Sequence, residues 1–271
     1  MTEEEYAEAT FNEVADKYDE IPFFKISAQY LTQIVKKEKT ENDIEVLDVA
    51  CGTGNVTLTC AQEMPTSSFT GIDISEGMLT KARSNADTFA LENVTFHCQD
   101  VSSLNTTAKY VVITCAYALF FLPNAHTILS NLVDSLRDEG RVIFTSFLPK
   151  AFAPSVDILI PLLKEEGSTS AQEYDANRWE NLKEIADIER LCEMVGVKNY
   201  NISMKVIRYD MHVDAWWELM NNTGFKGMLM ELSSQGYARV KKAYYDGMLK
   251  HADTDGEVEL NADSYYVSIK V

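Results

Sequence analysis

The chain has 271 residues, 46% of them hydrophobic, enough to bury a full core as one large α/β domain or as one domain with a lid. Its 24 basic against 42 acidic residues give a net charge of −18, which disfavours nucleic-acid substrates, because the basic cluster KKEK (36–39) is too short and too mixed to track phosphates. No apolar run reaches membrane-spanning length, no signal peptide is read, and the cysteines at 51, 60, 98, 115 and 192 form neither C-x-x-C pairs nor zinc-spaced clusters, so free thiols in the cytoplasm and no metal site are expected.

In chain order, EVLDVA (45–50) has the apolar, β-branched character of a buried strand. CGTG (51–54) cannot continue it comfortably, because Gly52 and Gly54 offer no side chain to pack. From Asn55, VTLTCAQEM spaces its apolar residues for a helix, with Asn55 or Thr53 as cap. A strand, a glycine turn and a helix N-terminus make a place where backbone N–H groups face an anion. SFTGID (68–73) reads as a second strand, GMLTKARSNADTFA (77–90) as a helix, VTFHCQD (94–100) as a third strand and YVVITCAYA (110–118) as a central fourth. NAHTILSNLVDSLRDEG (124–140) is an amphipathic helix ended by glycine, and RVIFTSF (141–147) a fifth strand. This alternation predicts a doubly wound, mainly parallel α/β sheet, with ligands at the strands' carboxyl ends near the switch in strand order.

Beyond 147 the regular beat is lost. FAPSVDILIPLLKEEG (152–167) reads as a helix around Pro161, GSTSAQEYDANRW (167–179) as a polar connection and IADIERLCEMVGV (185–197) as a helix. NISMKVIRYDMHV (201–213) and SYYVSIKV (264–271) both alternate like strands, and two or three helices are expected across 214–249. No internal repeat and no long linker appears. The expectation is one domain, its core at about 40–150 plus 185–213 and 258–271, with lid elements at about 1–35, 150–184 and 214–257.

A glycine turn alone does not identify a ligand. Thr57 stands where a dinucleotide fingerprint wants its third glycine, and no lysine follows to make a phosphate loop. Asp73 closes the next strand at the spacing of a ribose-binding acid, which points to a nucleoside-like ligand.

The motifs VLDVACGTG, GIDISEGML and VTFHCQDVSSL, and a strand leading into CAYALFFLP, occur in order, each at a predicted strand end. Together they resemble the class I S-adenosylmethionine-dependent methyltransferases, nearest the small-molecule branch of the ubiquinone and menaquinone biosynthesis enzymes. FNEVADKYDEIP (11–22) resembles that branch's N-terminal segment with its Tyr-Asp pair. The resemblance implies a seven-stranded fold and S-adenosylmethionine as cofactor. It implies that the methionine end lies over Ala50, Cys51, Gly52 and Gly54, with Asp48 receiving the ammonium and Tyr18 closing over it. Asp73 would accept both ribose hydroxyls, Ile74 and Met78 would flank adenine, and Asp100 and the Val101 amide would bond its edge. Cys115 completes the expected cofactor set. On the acceptor side Tyr117, Phe120, Trp216 and Trp217 are the candidates. The chain departs from many relatives at Tyr110-Val111, where they begin the strand with Phe-Asp, and at Phe120, where they carry histidine.

Several of these positions have plainer readings. Asp48 and Asp100 suit a strand-end cap and a turn start, and Met78 suits ordinary core. The aromatics Trp179, Trp216, Trp217, Phe225, Tyr237, Tyr244 and Tyr245 suit lid core at least as well as a cavity roof. Since two adjacent helical residues face different ways, one of Trp216 and Trp217 is expected on a cavity wall. Of the histidines, His97 and His126 read as structural and His251 sits in an acidic loop, leaving His212 and Tyr18 as weak catalytic candidates. The sulfonium methyl is already activated, so transfer by alignment alone is admissible. The resulting expectation is methyl transfer to a small organic molecule. The rivals are a non-catalytic S-adenosylmethionine-binding or partner-binding relative, a nicotinamide-dependent oxidoreductase and, against the charge, a nucleic-acid methyltransferase.

Overall fold

The computed structural model describes residues 2–38, 43–104, 110–174 and 182–271. Seven strands form one sheet in the order β3-β2-β1-β4-β5-β9-β6, where β1 is Glu45–Val49, β2 Ser68–Asp73, β3 Val94–Cys98, β4 Tyr110–Ala116, β5 Leu136–Phe147, β6 Tyr200–Lys205 and β9 Ser264–Lys270. All run parallel except β9, which is antiparallel to both β5 and β6. The apolar runs are explained by burial on two faces: Val46, Val112 and Ile143 face one core, while Leu47, Ile113 and Phe144 face the other.

The first core is closed by helix α2 (Pro22–Glu38) through Leu31 and Val35, and by α3 (Asn55–Glu63) through Val56 and Cys60. The second is closed by α5 (Ala125–Asp134) through Ile128 and Leu129, and by α8 (Ile185–Val195) through Ile188 and Leu191. Helix α1 (Glu3–Val14) packs Val14 and the following Ala15 against Met78 of α4 (Glu76–Thr88). A third apolar cluster gathers α6 (Ser155–Glu165), α7 (Thr169–Glu173), α9 (Val213–Asn221), α10 (Lys226–Met230), α11 (Ser234–Met248) and the two-stranded sheet of β7 (Arg208–His212) and β8 (Glu257–Asn261).

Two elements differ from their expected form. The helix read over 124–140 stops at Asp134, because Leu136 already pairs with Tyr110 and the chain enters β5 through a bulge. Gly140 is no helix stop there. A Cβ on it would come within 2.7 Å of the Arg137 carbonyl, so the glycine permits a close backbone approach. The single strand read over 201–213 is two strands in two sheets. Asp263 forces the break: its carboxylate accepts from the Ile207 N–H at 3.0 Å and from the Arg208 guanidinium at 2.5 and 3.0 Å. Strands β7 and β8, within stretches expected to belong to the core, therefore pair with each other outside the large sheet.

Candidate active site

The strand order reverses between β1 and β4, and the chain leaves both strands beside one cleft. Ala50, Cys51, Gly52, Asn55 and Val56 line it from the β1 side, Ala116 and Tyr117 from β4, and Tyr18, Phe24, Ser27 and Ala28 from the N-terminal segment. Ala50, Gly52 and Gly54 all adopt positive φ, at 52°, 57° and 83°. At Gly52 a Cβ would meet no atom within 4 Å, so the missing side chain leaves open space over the turn.

The turn's anion is supplied three times over by the protein itself. Asp73, only 9% exposed, accepts from the Gly52 N–H and the Ser75 N–H, each at 2.8 Å, and so ties the glycine turn to the end of β2. Asp48, 2% exposed, accepts from the Thr57 N–H at 3.2 Å, the Thr57 hydroxyl at 2.6 Å and the Thr114 hydroxyl at 2.7 Å. It caps α3 from the neighbouring strand; neither Asn55 nor Thr53 does so, since the helix begins behind a left-handed Gly54 without a side-chain cap. Burial without a cation pushes Asp48 up from 3.8 to about 6, and burial likewise raises Asp73. The third anion is Asp19, which binds the side chains of Thr53 and Asn55.

The remaining candidates divide clearly. Tyr18 stacks on Phe24 with ring centroids 4.4 Å apart, and burial together with the Asp73 and Asp19 carboxylates keeps its phenol protonated. Met78 is buried beneath α1, and Ile74 follows Asp73 in the turn into α4. Asp100 accepts from the Ser102 N–H at 2.8 Å and its hydroxyl at 2.5 Å, opening the short turn that buries Val101. Cys115 is buried in the sheet core and does not line the cleft, whereas Cys51 does. Tyr117 lines the cleft in a strained backbone, φ 53°. Its N–H donates to Thr145 Oγ1 at 3.0 Å and its phenol donates to Ser264 Oγ at 2.9 Å. Its ring stacks on Phe147, against which Phe120 also packs.

Gly54, Asp73, Ile74, Met78, Asp100, Val101 and Phe120, like Cys115, do not line the cleft, and Trp216, Trp217 and His212 belong to other surroundings altogether. Trp216 and Trp217 are 0% and 1% exposed, and neither lines it. The expectation that one would form a cavity wall fails because α9 is covered on two sides. Trp216 donates its indole N–H to the Val258 carbonyl of β8 at 3.0 Å, while Trp217 packs among Tyr237, Tyr244 and Tyr245 of α11. His212 caps α9, its Nδ1 accepting from the Asp214 N–H at 3.3 Å, and its side chain is 55% exposed. Its imidazole is thus turned to a helix end in the lid. Trp179 lies outside the described residues.

Sequence reasoning missed Phe24, Ser27 and Asn55 as lining residues, and Gly71. A Cβ at Gly71 would stand 2.7 Å from the Phe96 ring and 2.8 Å from Cys51 Sγ, so this glycine in β2 lets the turn sit against the strand. Nothing local in SFTGID distinguishes that need from an ordinary strand glycine. Ser27 bonds Tyr266 at 2.6 Å across nearly the whole chain, which no short motif can encode.

An open sheet with one antiparallel strand in last place but one, and a glycine turn beside an acid-terminated second strand, is the class I methyltransferase architecture. The chain belongs to the methyltransferase-domain family, whose model matches residues 40–211. It is 33% identical over 144 residues to a malonyl-[acyl-carrier protein] O-methyltransferase of Bacillus cereus, covering 52% of either protein, so it spans about half the length of that relative. It is 28% identical over 200 residues to the aklanonic acid methyltransferase of a Streptomyces species, covering 69% of this chain and 89% of the relative. The solved structure of the plantazolicin methyltransferase in complex with SAH has the same fold, with a TM-score of 0.56 over 99% of this chain and 95% of that one at 17% identity. Membership of this family sets aside the nicotinamide-dependent oxidoreductase that a glycine turn by itself admits.

Proposed function

We propose that the protein transfers the sulfonium methyl of S-adenosylmethionine to a small organic acceptor by in-line attack. The observation that carries the reading is the pairing of an open glycine turn at Gly52 with a nearly buried Asp73 bonded to that turn's own N–H. Each Asp73 oxygen accepts one backbone N–H and keeps a second lone pair, which suits a ribose diol. Asp100 retains lone pairs in the same way for an adenine amino group, with the Val101 amide beside it. Ile74 and Met78 would supply apolar surface for the ring, and Asp48, which lines the cleft, would hold an ammonium group directly or through water.

When bound, the cofactor supplies a methyl group that is already activated, so holding the nucleophile in line contributes much of the acceleration. Tyr117 and Phe120 fix the acceptor side. Among the described residues no histidine lines the cleft, and the phenols of Tyr18 and Tyr117 are held in their protonated form by burial, so neither serves as a base. The relatives are named for an organic acid and a malonyl thioester, which makes organic acids the first acceptors to assay. The net charge of −18 argues against nucleic acid, and a cytoplasmic site of action fits the free thiols. No helix among the described residues is long and apolar enough to cross a membrane.

Calorimetric titration with S-adenosylhomocysteine tests the reading. Asp73→Ala removes two bonds to a charged acceptor and should weaken binding by about 2–4 kcal/mol, roughly 30- to 1,000-fold. Asp73→Asn, which keeps one acceptor, should lose less. A folded Asp73→Ala protein that binds as tightly as wild type removes the ribose assignment.

A further inference from the structure

The N-terminal segment 11–22 brings Tyr18 to the cleft, and this segment is pinned at two points. At one, Asn12 Oδ1 accepts from the Gly77 N–H at 2.9 Å and the Ser75 hydroxyl at 2.8 Å, with Val14 and Ala15 buried against Met78 beside it. At the other, a single carboxylate gathers three elements. Asp19 Oδ1 accepts from the Thr53 hydroxyl at 2.5 Å and the Asn55 amide at 3.0 Å, and Asp19 Oδ2 accepts from the Asn85 amide at 2.8 Å. The glycine turn, the first residue of α3 and the last turn of α4 are thereby tied to one side chain. Between the pins Tyr18 lies across the cleft, stacked on Phe24.

We infer that Asp19 is a positioning residue, the latch that holds Tyr18 closed over the methionine end of the cofactor site. Asp19 itself does not line the cleft, whereas Tyr18, its chain neighbour, does. Opening the cleft on this side needs Tyr18 to move, and Asp19 holds the stretch of chain that carries it. The chemistry of the latch suits reversal. Its charge is held by neutral donors at the start of α3, where the helix dipole also favours an anion, so opening strands no buried cation. Closure then needs no new contact to the acceptor, and it seals the cofactor's charged end from water.

The inference rests on the cofactor reading above, so S-adenosylhomocysteine binding to the wild-type chain is measured first; no binding there overturns both. Stopped-flow kinetics with that ligand then compare wild type with Asp19→Ala, Asp19→Asn and Asn85→Ala. Loss of the latch should raise the dissociation rate about tenfold in Asp19→Ala while leaving association as fast or faster. Asn85→Ala, a change on α4 outside the cleft lining that removes one donor to Asp19 and the bond to the Thr53 carbonyl, should move dissociation the same way by less, and the double variant should add little to Asp19→Ala. Amide exchange should speed up within 11–22. Folded Asp19→Asn and Asp19→Ala proteins with wild-type dissociation rates overturn the proposal. So does faster exchange confined to residues 51–58, which would make Asp19 a brace for the turn and nothing more.

Discussion

Asp48 carries a buried negative charge between two threonine hydroxyls and a backbone N–H, and no cation lies among its bonded partners. Its raised value, about 6 against 3.8, means the folded state keeps a proton that the unfolded chain has already lost between those two values. This group therefore takes stability away as pH rises from 3.8 to about 6, by about 3 kcal/mol once it is fully ionised. An asparagine can accept from Thr57 through its oxygen and donate to Thr114 through its amide. Asp48→Asn should accordingly melt several degrees above wild type at pH 7.5, with the advantage gone by about pH 4. Thermal scans at the two pH values check this. A variant that melts lower than wild type at pH 7.5 means the threonine bonds outweigh the desolvation. The same group gives ligand binding its own pH dependence: if Asp48 receives the ammonium, affinity for S-adenosylhomocysteine should fall as pH drops below about 6.

At the scale of elements, the third apolar cluster is rich in aromatics, and α9 runs through it with Trp216 and Trp217 both covered. Trp217 sits among three tyrosines of α11, with the Lys241 ammonium 5.6 Å from its ring centroid. Trp217→Ala should remove about 3–5 kcal/mol of stability, read by chemical denaturation, as expected of a fully buried indole. Cofactor affinity of the folded fraction should be unchanged, because Trp217 does not line the cleft. A variant of wild-type stability that instead loses acceptor KM would restore Trp217 to the substrate pocket.

For the whole molecule, a charge of −18 on 271 residues means that self-repulsion opposes the compact state. Most described ion pairs are half exposed on both sides, such as Lys17–Glu218 and Lys242–Asp246, and pairs of that kind contribute little. Screening should thus relieve more repulsion than it removes attraction. The melting temperature should rise by a few degrees between 0.05 and about 0.5 M sodium chloride, where the Debye length shortens from roughly 14 Å to 4 Å. A fall over that range would mean that the surface pairs dominate.

What the sequence determined by itself was the sheet's parallel half and the glycine turn. These rest on local chemistry: apolar runs that demand burial on both faces, glycines at positive φ and an acid closing the next strand. The strands SFTGID and EVLDV and the turn between β1 and α3 stand where the residues put them. The break in 201–213 left one local trace, a slip of the alternation at Val206-Ile207 (apolar at 202, 204 and 206, then at 207, 209 and 211), but the carboxylate that splits the run lies 55 and 56 residues away at Asp263. Only the tertiary structure could decide which face of α9 was free, since a helical pattern records apolar positions and not how many partners cover them. It likewise decided that Asp19 spans 34, 36 and 66 residues to Thr53, Asn55 and Asn85, a junction made by chain ends meeting in space. Periodicity and turn chemistry act within a few residues, and the contacts that close this site act across the fold.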